Sequence, residues 1–163
     1  MKRQRELVNF NFDEPSSQTG TFPPISLVVP PPGAQPTEFE LASFILREIK
    51  PDDRIRLTAT VGWRRSDGDQ PVLEFRIRRG GIVGPIVFST RDTGFVSSAP
   101  SDNTTSFDHV ETGVAHSRLQ YTLTVVFVRI ASFVDPGTIV AVIDGPVHFD
   151  GEVIDDNGRK ENF

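Results

Sequence analysis

The stretch Asp53-Arg54-Ile55-Arg56-Leu57-Thr58-Ala59-Thr60-Val61-Gly62-Trp63 decides the fold class. Ile55, Leu57, Ala59, Val61 and Trp63 alternate with Arg54, Arg56, Thr58 and Thr60, a period of two that puts one set on each face of a half-buried β-strand. The same period continues on both sides. Leu73, Phe75 and Ile77 alternate with Glu74, Arg76 and Arg78, and Leu119, Tyr121, Leu123, Val125 and Phe127 alternate with Gln120, Thr122 and Thr124. Shorter strand candidates lie at 41–48, 82–90, 105–109, 139–143 and 147–154. Turn chemistry separates them: Ser66-Asp67-Gly68-Asp69, Arg79-Gly80-Gly81, Ala99-Pro100-Ser101-Asp102-Asn103, Asp135-Pro136-Gly137 and Asp144-Gly145-Pro146. About eight short strands at this spacing predict an all-β fold, an antiparallel jelly roll or β-sandwich. Residues 38–49 fit either a strand or a helix, and strand is the preferred reading.

The first 39 residues differ from this body. Six of the 13 prolines fall between Pro23 and Pro36, so this stretch is excluded from helices and from a regular ladder. It reads as an extended spacer. Ahead of it, Val8, Phe10 and Phe12 alternate with Asn9, Asn11 and Asp13, a strand on the far side of that spacer. The expected organisation is an arm at 1–14 carrying a donor-strand candidate, a Pro-rich extended linker at 15–39, a jelly-roll domain at 40–154 and a polar tail at 155–163.

Composition removes several classes of chemistry. The 163 residues contain no cysteine, which excludes disulfides, thiolate metal sites and a cysteine nucleophile. A net charge of -5 argues against a general nucleic-acid binder. No apolar run reaches 18 residues, so no membrane-spanning helix is expected. The basic start, Met1-Lys2-Arg3-Gln4-Arg5, is followed by no apolar h-region, which predicts synthesis without a signal peptide.

Candidate catalytic groups are sparse. His109, His116 and His148 are well separated, and His109 with Glu111 makes a lone His-x-Glu on one face of a strand. Asp67-Gly68-Asp69 resembles a fragment of a calcium loop without its remaining ligands. Gly80-Gly81-Ile82-Val83-Gly84-Pro85 lacks the Gly-Lys-Ser/Thr ending of a phosphate loop. No catalytic residue, metal site or cofactor is therefore expected. Arginine is used selectively, 14 against three lysines. Arg54, Arg56, Arg76 and Arg78 are candidates for an electrostatic face between subunits, because arginine pairs with carboxylates in a planar fork. The lysines Lys2, Lys50 and Lys160 are candidates for an isopeptide crosslink.

The detached strand carries the functional expectation. Three large apolar side chains on a free arm invite aggregation, so they are expected to dock. Burial stabilises each by about 1.5–3 kcal/mol, and ordering the backbone costs about 1–2 kcal/mol per residue. The arm alone would bind weakly; ladder bonds and a second contact between bodies would tighten it. Two docking places are open: the edge of its own domain, or the sheet of a neighbouring copy. The second is preferred, with Val8, Phe10 and Phe12 as the inserted side chains and Asn9 and Asn11 on the arm's other face. A contact of that kind that does not close builds a filament.

The body also resembles a known family. Residues 53–63, Leu73-Glu74-Phe75-Arg76-Ile77-Arg78-Arg79, Tyr121-Thr122-Leu123-Thr124-Val125 and Asp144-Gly145-Pro146-Val147-His148-Phe149-Asp150-Gly151 are similar to the small jelly-roll domains of spore-surface proteins, including endospore appendage subunits. The proline-rich stretch at 21–32 is similar to exosporium leaders. This resemblance implies a fibre subunit on the spore surface, made in the mother-cell cytoplasm, whose partners are other copies of itself and a tip or anchor protein. Appendage subunits carry connector cysteines that lock neighbours by disulfides; this chain has none, so joining would rest on strand addition. The alternative is a binding head, a tumour-necrosis-factor-like trimer or a lectin, using loops such as 94–103.

Overall fold

A computed structural model describes residues 5–66, 70–94, 101–130 and 134–155. They form nine strands: β1 (Glu6–Ser16), β2 (Ile25–Val28), β3 (Glu38–Arg47), β4 (Arg54–Arg65), β5 (Pro71–Arg79), β6 (Ile86–Asp92), β7 (Ser101–Thr112), β8 (Arg118–Ile130) and β9 (Ile139–Asp155). The fold is an all-β antiparallel sandwich of the jelly-roll kind. One sheet runs β1-β9-β4-β7 with β2 also on β9, and the other runs β3-β8-β5-β6. Of residues 38–49, Glu38–Arg47 form strand β3, and none is helical. The inward set of each alternation meets in one core: Ile55, Leu57, Ala59, Val61 and Trp63 from β4 face Leu73, Phe75 and Ile77 from β5 and Tyr121, Leu123 and Val125 from β8. Trp63 brings a polar edge into that core and donates its Nε1–H to Thr105 Oγ1 at 2.9 Å, so the indole is buried without an unmet donor.

The longest strand departs from the expected pattern. Asp144-Gly145-Pro146 reads as a turn, yet β9 passes through it as one strand of 17 residues. Its pairing with β4 jumps from Val61↔Val147 to Trp63↔Ile143, so Asp144, Gly145 and Pro146 together oppose Gly62. The excursion rides over that glycine. A Cβ on Gly62 would lie 2.0 Å from the Gly145 carbonyl oxygen, a distance no side chain accepts. The absence of a side chain at 62 thus lets the strand continue where turn chemistry would end it.

The proline-rich stretch also departs from expectation. It is not a free spacer. β1 and β2 lie end to end along β9, from Glu6↔Asp155 to Ser16↔Val147 and then from Ile25↔Ile143 to Val28↔Ile139. The excursion between them is held where the Phe22 N–H donates to the Asp144 carbonyl at 3.1 Å, and Phe22 and Leu27 are buried. Beyond β2 the chain crosses to the other sheet. That crossing leaves an apolar groove of about 280 Å³ beside Leu27, Pro31, Ala34, Phe39 and Phe127. A short run of strand therefore suffices to tether the linker, because its alternate residues still reach the core.

Gly62→Ala is expected to destabilise the fold by more than about 3 kcal/mol, since two backbones would have to part. Gly81→Ala, which meets nothing within 4 Å, is expected to change stability by less than about 0.5 kcal/mol. Urea unfolding of the two variants beside the parent checks both.

Candidate assembly interface

β1 is the terminal strand of its sheet, and its two faces have opposite jobs. The inward face is polar. Asn9 Oδ1 accepts the Arg47 N–H at 3.2 Å, Asn11 Nδ2 donates to the Ile45 carbonyl at 2.9 Å, and Asp13 Oδ2 accepts the Ser43 N–H at 2.9 Å. Arg47, Ile45 and Ser43 lie on β3, the edge of the facing sheet, and these are backbone groups that the ladder to β8 leaves unpaired. Three alternate side chains of one edge strand thus cap the backbone of the other, which blunts an edge open to foreign strands. Only Val8, displaced by a bulge between Leu7 and Asn9, packs against the core.

The outward face is apolar. Leu7, Phe10 and Phe12 are 58%, 48% and 54% exposed. Phe10 and Phe12 stand 5.9 Å apart, and Phe12 stacks on His148 at 6.2 Å. His148 lies between two carboxylates, with Nδ1 2.9 Å from Glu14 Oε2 and Nε2 2.9 Å from Asp150 Oδ2. The ring joins the end of β1 to β9 and holds the two carboxylates on opposite sides of itself. Among the described residues no group of His, Asp and Glu converges on a point where a metal would sit.

Within this single chain the arm lies on its own sandwich, paired with β9, the first of the two docking places left open by the sequence. Its faces are reversed from the expectation: Phe10 and Phe12 point to solvent, while Asn9 and Asn11 point inward. The slot beside β9 is floored by the polar backbone of β3, so amides and a carboxylate fit it better than phenyl rings. Asp13, Glu14 and Leu7 belong to this site and escaped the sequence reading. The Asn9-x-Asn11-x-Asp13 repeat is the signal that marks the first of them, because short polar side chains at every second position suit backbone capping.

The proposed arginine face is divided. Arg54 and Arg56 lie on β4 in one sheet, whereas Arg76 and Arg78 lie on β5 in the other. The second pair is occupied within the chain. Glu38 accepts from Arg76 Nη1 at 2.7 Å, from Arg78 Nε and Nη2 at 2.7 and 2.8 Å, and from Thr124 Oγ1 at 2.5 Å. Glu74 bridges Arg76 at 2.6 Å and Arg91 at 2.7 Å. Burial alone would raise the Glu38 carboxyl, but the Arg78 and Thr124 hydrogen bonds and the two guanidinium charges outweigh it and lower its pKa to about 2. Glu74 is lowered in the same way, its burial outweighed by Arg91 and Arg76.

The other expected positions are dispersed. Glu111 accepts from Tyr121 and Arg79, both at 2.5 Å, and burial together with the Glu111 hydrogen bond raises the Tyr121 hydroxyl well above its usual range. His109 stacks on Phe88 at 5.0 Å. His116 is exposed in the loop before β8, and Lys50 is exposed in the turn before β4. Lys2, Lys160, the Asp67-Gly68-Asp69 turn and residues 95–100 of the binding-head loop lie outside the described residues. Among the described residues no helix is long and apolar enough to cross a membrane.

No protein-family model and no curated protein matches the chain. Its fold is similar to that of a chain in the solved structure of infectious bursal disease virus, Gx strain, with a TM-score of 0.53 and 13% identity. The match covers 94% of this chain and 34% of that one, so this protein spans about a third of the viral chain's length. At this identity the likeness establishes a shared sandwich fold.

Glu38→Gln is expected to cost up to about 3 kcal/mol near pH 6. The lowered pKa means that the carboxylate's contribution is complete above its ordinary value of 4.5 and is lost as pH falls toward about 2. The gap between parent and variant should therefore narrow through that window. Urea unfolding at pH 6 and at pH 2.5 measures it, and an equal gap at both would contradict the assignment.

Proposed function

We propose that this protein is a non-catalytic structural subunit that assembles with copies of itself, using the N-terminal strand as the joint. The observation that carries this reading is the edge-capping role of β1. The slot it fills, between the β9 ladder and the open backbone edge of β3, is present in every copy, and the filler is an edge strand that ladders to β9 alone. Withdrawing an edge strand disturbs one ladder and leaves the rest of its sheet paired. Its place can be taken by the same strand of a neighbour, and every hydrogen bond that holds β1 at home is then remade between molecules. Exchange of an identical element is a low-cost route to assembly, and head-to-tail exchange that does not close gives a filament.

The narrower form of this reading is a spore-surface fibre, with a tip or anchor protein among its partners. It is supported by the residues that resemble endospore appendage subunits. The absence of cysteine from the whole sequence fits a joint that relies on strand pairing. No cofactor and no nucleic acid enter this reading, and it assigns no role to Lys2, Lys50 or Lys160.

The test uses Phe12 and Asp150, which are opposite one another in the β1–β9 register. Phe12→Cys combined with Asp150→Cys puts two thiols on one face at a spacing a disulfide accepts. If β1 is exchanged, oxidation of concentrated protein gives a ladder of covalent multimers on a non-reducing gel, and electron microscopy of the parent shows filaments. A single band of internally bridged monomer at every concentration would defeat the reading.

A further inference from the structure

We infer that the outward ridge of β1, formed by Leu7, Phe10 and Phe12, is a second self-association surface, on which two copies pair their β1 strands edge to edge about a two-fold axis near Asn11. This does not rest on strand exchange. A sandwich presents the same ridge whether the β1 it carries is its own or a neighbour's.

The first ground is the state of the edge. β1 is 11 residues long and terminal in its sheet. Natural edges of this length are usually blunted by lysine, by an inward charge or by proline along the strand. Here the described strand has no lysine, its one proline, Pro15, comes next to its end, and its two register shifts, between Leu7 and Asn9 and between Asp13 and Ser16, leave residues 9–13 as a regular edge. Its one inward charge, Asp13, is consumed by the Ser43 N–H. The Phe12 N–H is bonded at 2.9 Å to the adjacent Asn11 Oδ1. That amide therefore faces away from β9, and Phe10, two residues back in the same ladder, faces the same way. An antiparallel copy centred on Asn11 brings Phe10 opposite Phe12 of the second copy, with outward amides on both. The Phe12 N–H then exchanges its bond to Asn11 Oδ1 for a ladder bond, and the outward carbonyls of Phe10 and Phe12 gain donors across the pair.

The second ground is area and self-complementarity. Phenylalanine side chains bury about 150–250 Å² each when fully covered, so two that are half exposed, with Leu7, offer about 300 Å² per copy. A symmetric pairing covers this area twice, about 600 Å², and the new ladder with its flanking side chains adds enough to approach the ~1,000–1,200 Å² of a weak specific interface. Pairing with the far edge of the sheet would use the ridge once. It would set it against Thr104, Ser106 and Asp108, an outward row with Val110 as its exposed apolar member. Of the two edges of this sheet, the ridge is the one that offers phenyl rings to phenyl rings. Aromatic residues directly opposite across an antiparallel pair are among the favourable cross-strand contacts, and the two-fold operation makes that contact in duplicate.

The experiment compares the full chain with Phe10→Ser/Phe12→Ser by sedimentation velocity from 1 to 200 μM, each with a thermal melt. About half of each ring is covered within the chain, so the variant is expected to melt cooperatively, a few degrees below the parent, while its association constant falls at least tenfold. A second measurement does not depend on that variant. Full chains carrying Phe10→Cys are mixed with full chains carrying Phe12→Cys and oxidised, against each alone. The two-fold register predicts a covalent dimer at least fivefold more abundant in the mixture than in either single sample. Association unchanged in the double variant would overturn the proposal. So would equal crosslinking in all three samples, or a parent that stays monomeric throughout. Internal bridging in the Phe12/Asp150 experiment, with mixed crosslinking here, would remove strand exchange and leave the ridge pairing intact.

Discussion

Every sandwich of two open sheets must do something with its edges, and in this protein one edge is closed by side chains instead of a ladder. Asn9, Asn11 and Asp13 reach from β1 to the backbone of β3 and satisfy a carbonyl and two amides that would otherwise face solvent. Much else follows from that contact. It fixes which face of β1 turns inward, and so places Phe10 and Phe12 outside. It ties the first strand of one sheet to the first strand of the other. It also makes the N-terminal segment a structural part of the domain, because removing it reopens the edge of the facing sheet.

The outer surface of the facing sheet is organised by a different interaction. Glu38 enters at the start of β3, across β8 from β5, and gathers Arg76, Arg78 and Thr124. Glu74, on β5 itself, extends the chain of contacts to Arg91 on β6. Carboxylates and planar guanidinium groups from β3, β5 and β6 neutralise one another across this face, and β8 joins them through the Thr124 hydroxyl. A surface of this kind resists sliding of one strand past another, since a register slip would leave several of these charges without partners. Arg76, Arg78 and Arg91 thus hold this sheet together, so two of the four arginines expected to face another subunit are engaged within the chain.

The fold class was legible because burial on one face of a strand leaves a period of two, and β4, β5 and β8 show it without interruption. The two sheets were not legible from the same signal. Arg54 and Arg56 look contiguous with Arg76 and Arg78 in the chain, but the connection between β4 and β5 changes sheets, and periodicity says nothing about which sheet a strand joins. The turn chemistry of Asp144-Gly145-Pro146 predicts two strands where β9 runs as one. The feature that lets it continue is Gly62, more than 80 residues earlier, and local reading has no access to such a distant partner. At the candidate interface the existence of β1 was readable, and so were its alternating residues. Its polarity was not.

That last failure has a general cause. Alternation divides residues into two sets without saying which set is inside, and the usual rule assigns the apolar set to the core. The rule holds where the opposite wall is a layer of side chains. Beside β9 the wall is the edge of β3, whose unpaired N–H and C=O groups make apolar neighbours expensive and amide neighbours favourable. Edge strands that face another edge can therefore be inverted, with polar residues doing the structural work and apolar ones left for contacts beyond the domain. Asn9, Asn11 and Asp13 are too short to span far, so they require β3 to be close; Phe10 and Phe12 are large enough to reach a partner. The residues that secure the arm and the residues left on its outer ridge are thus different sets on one strand, so either set can be substituted while the other keeps its place.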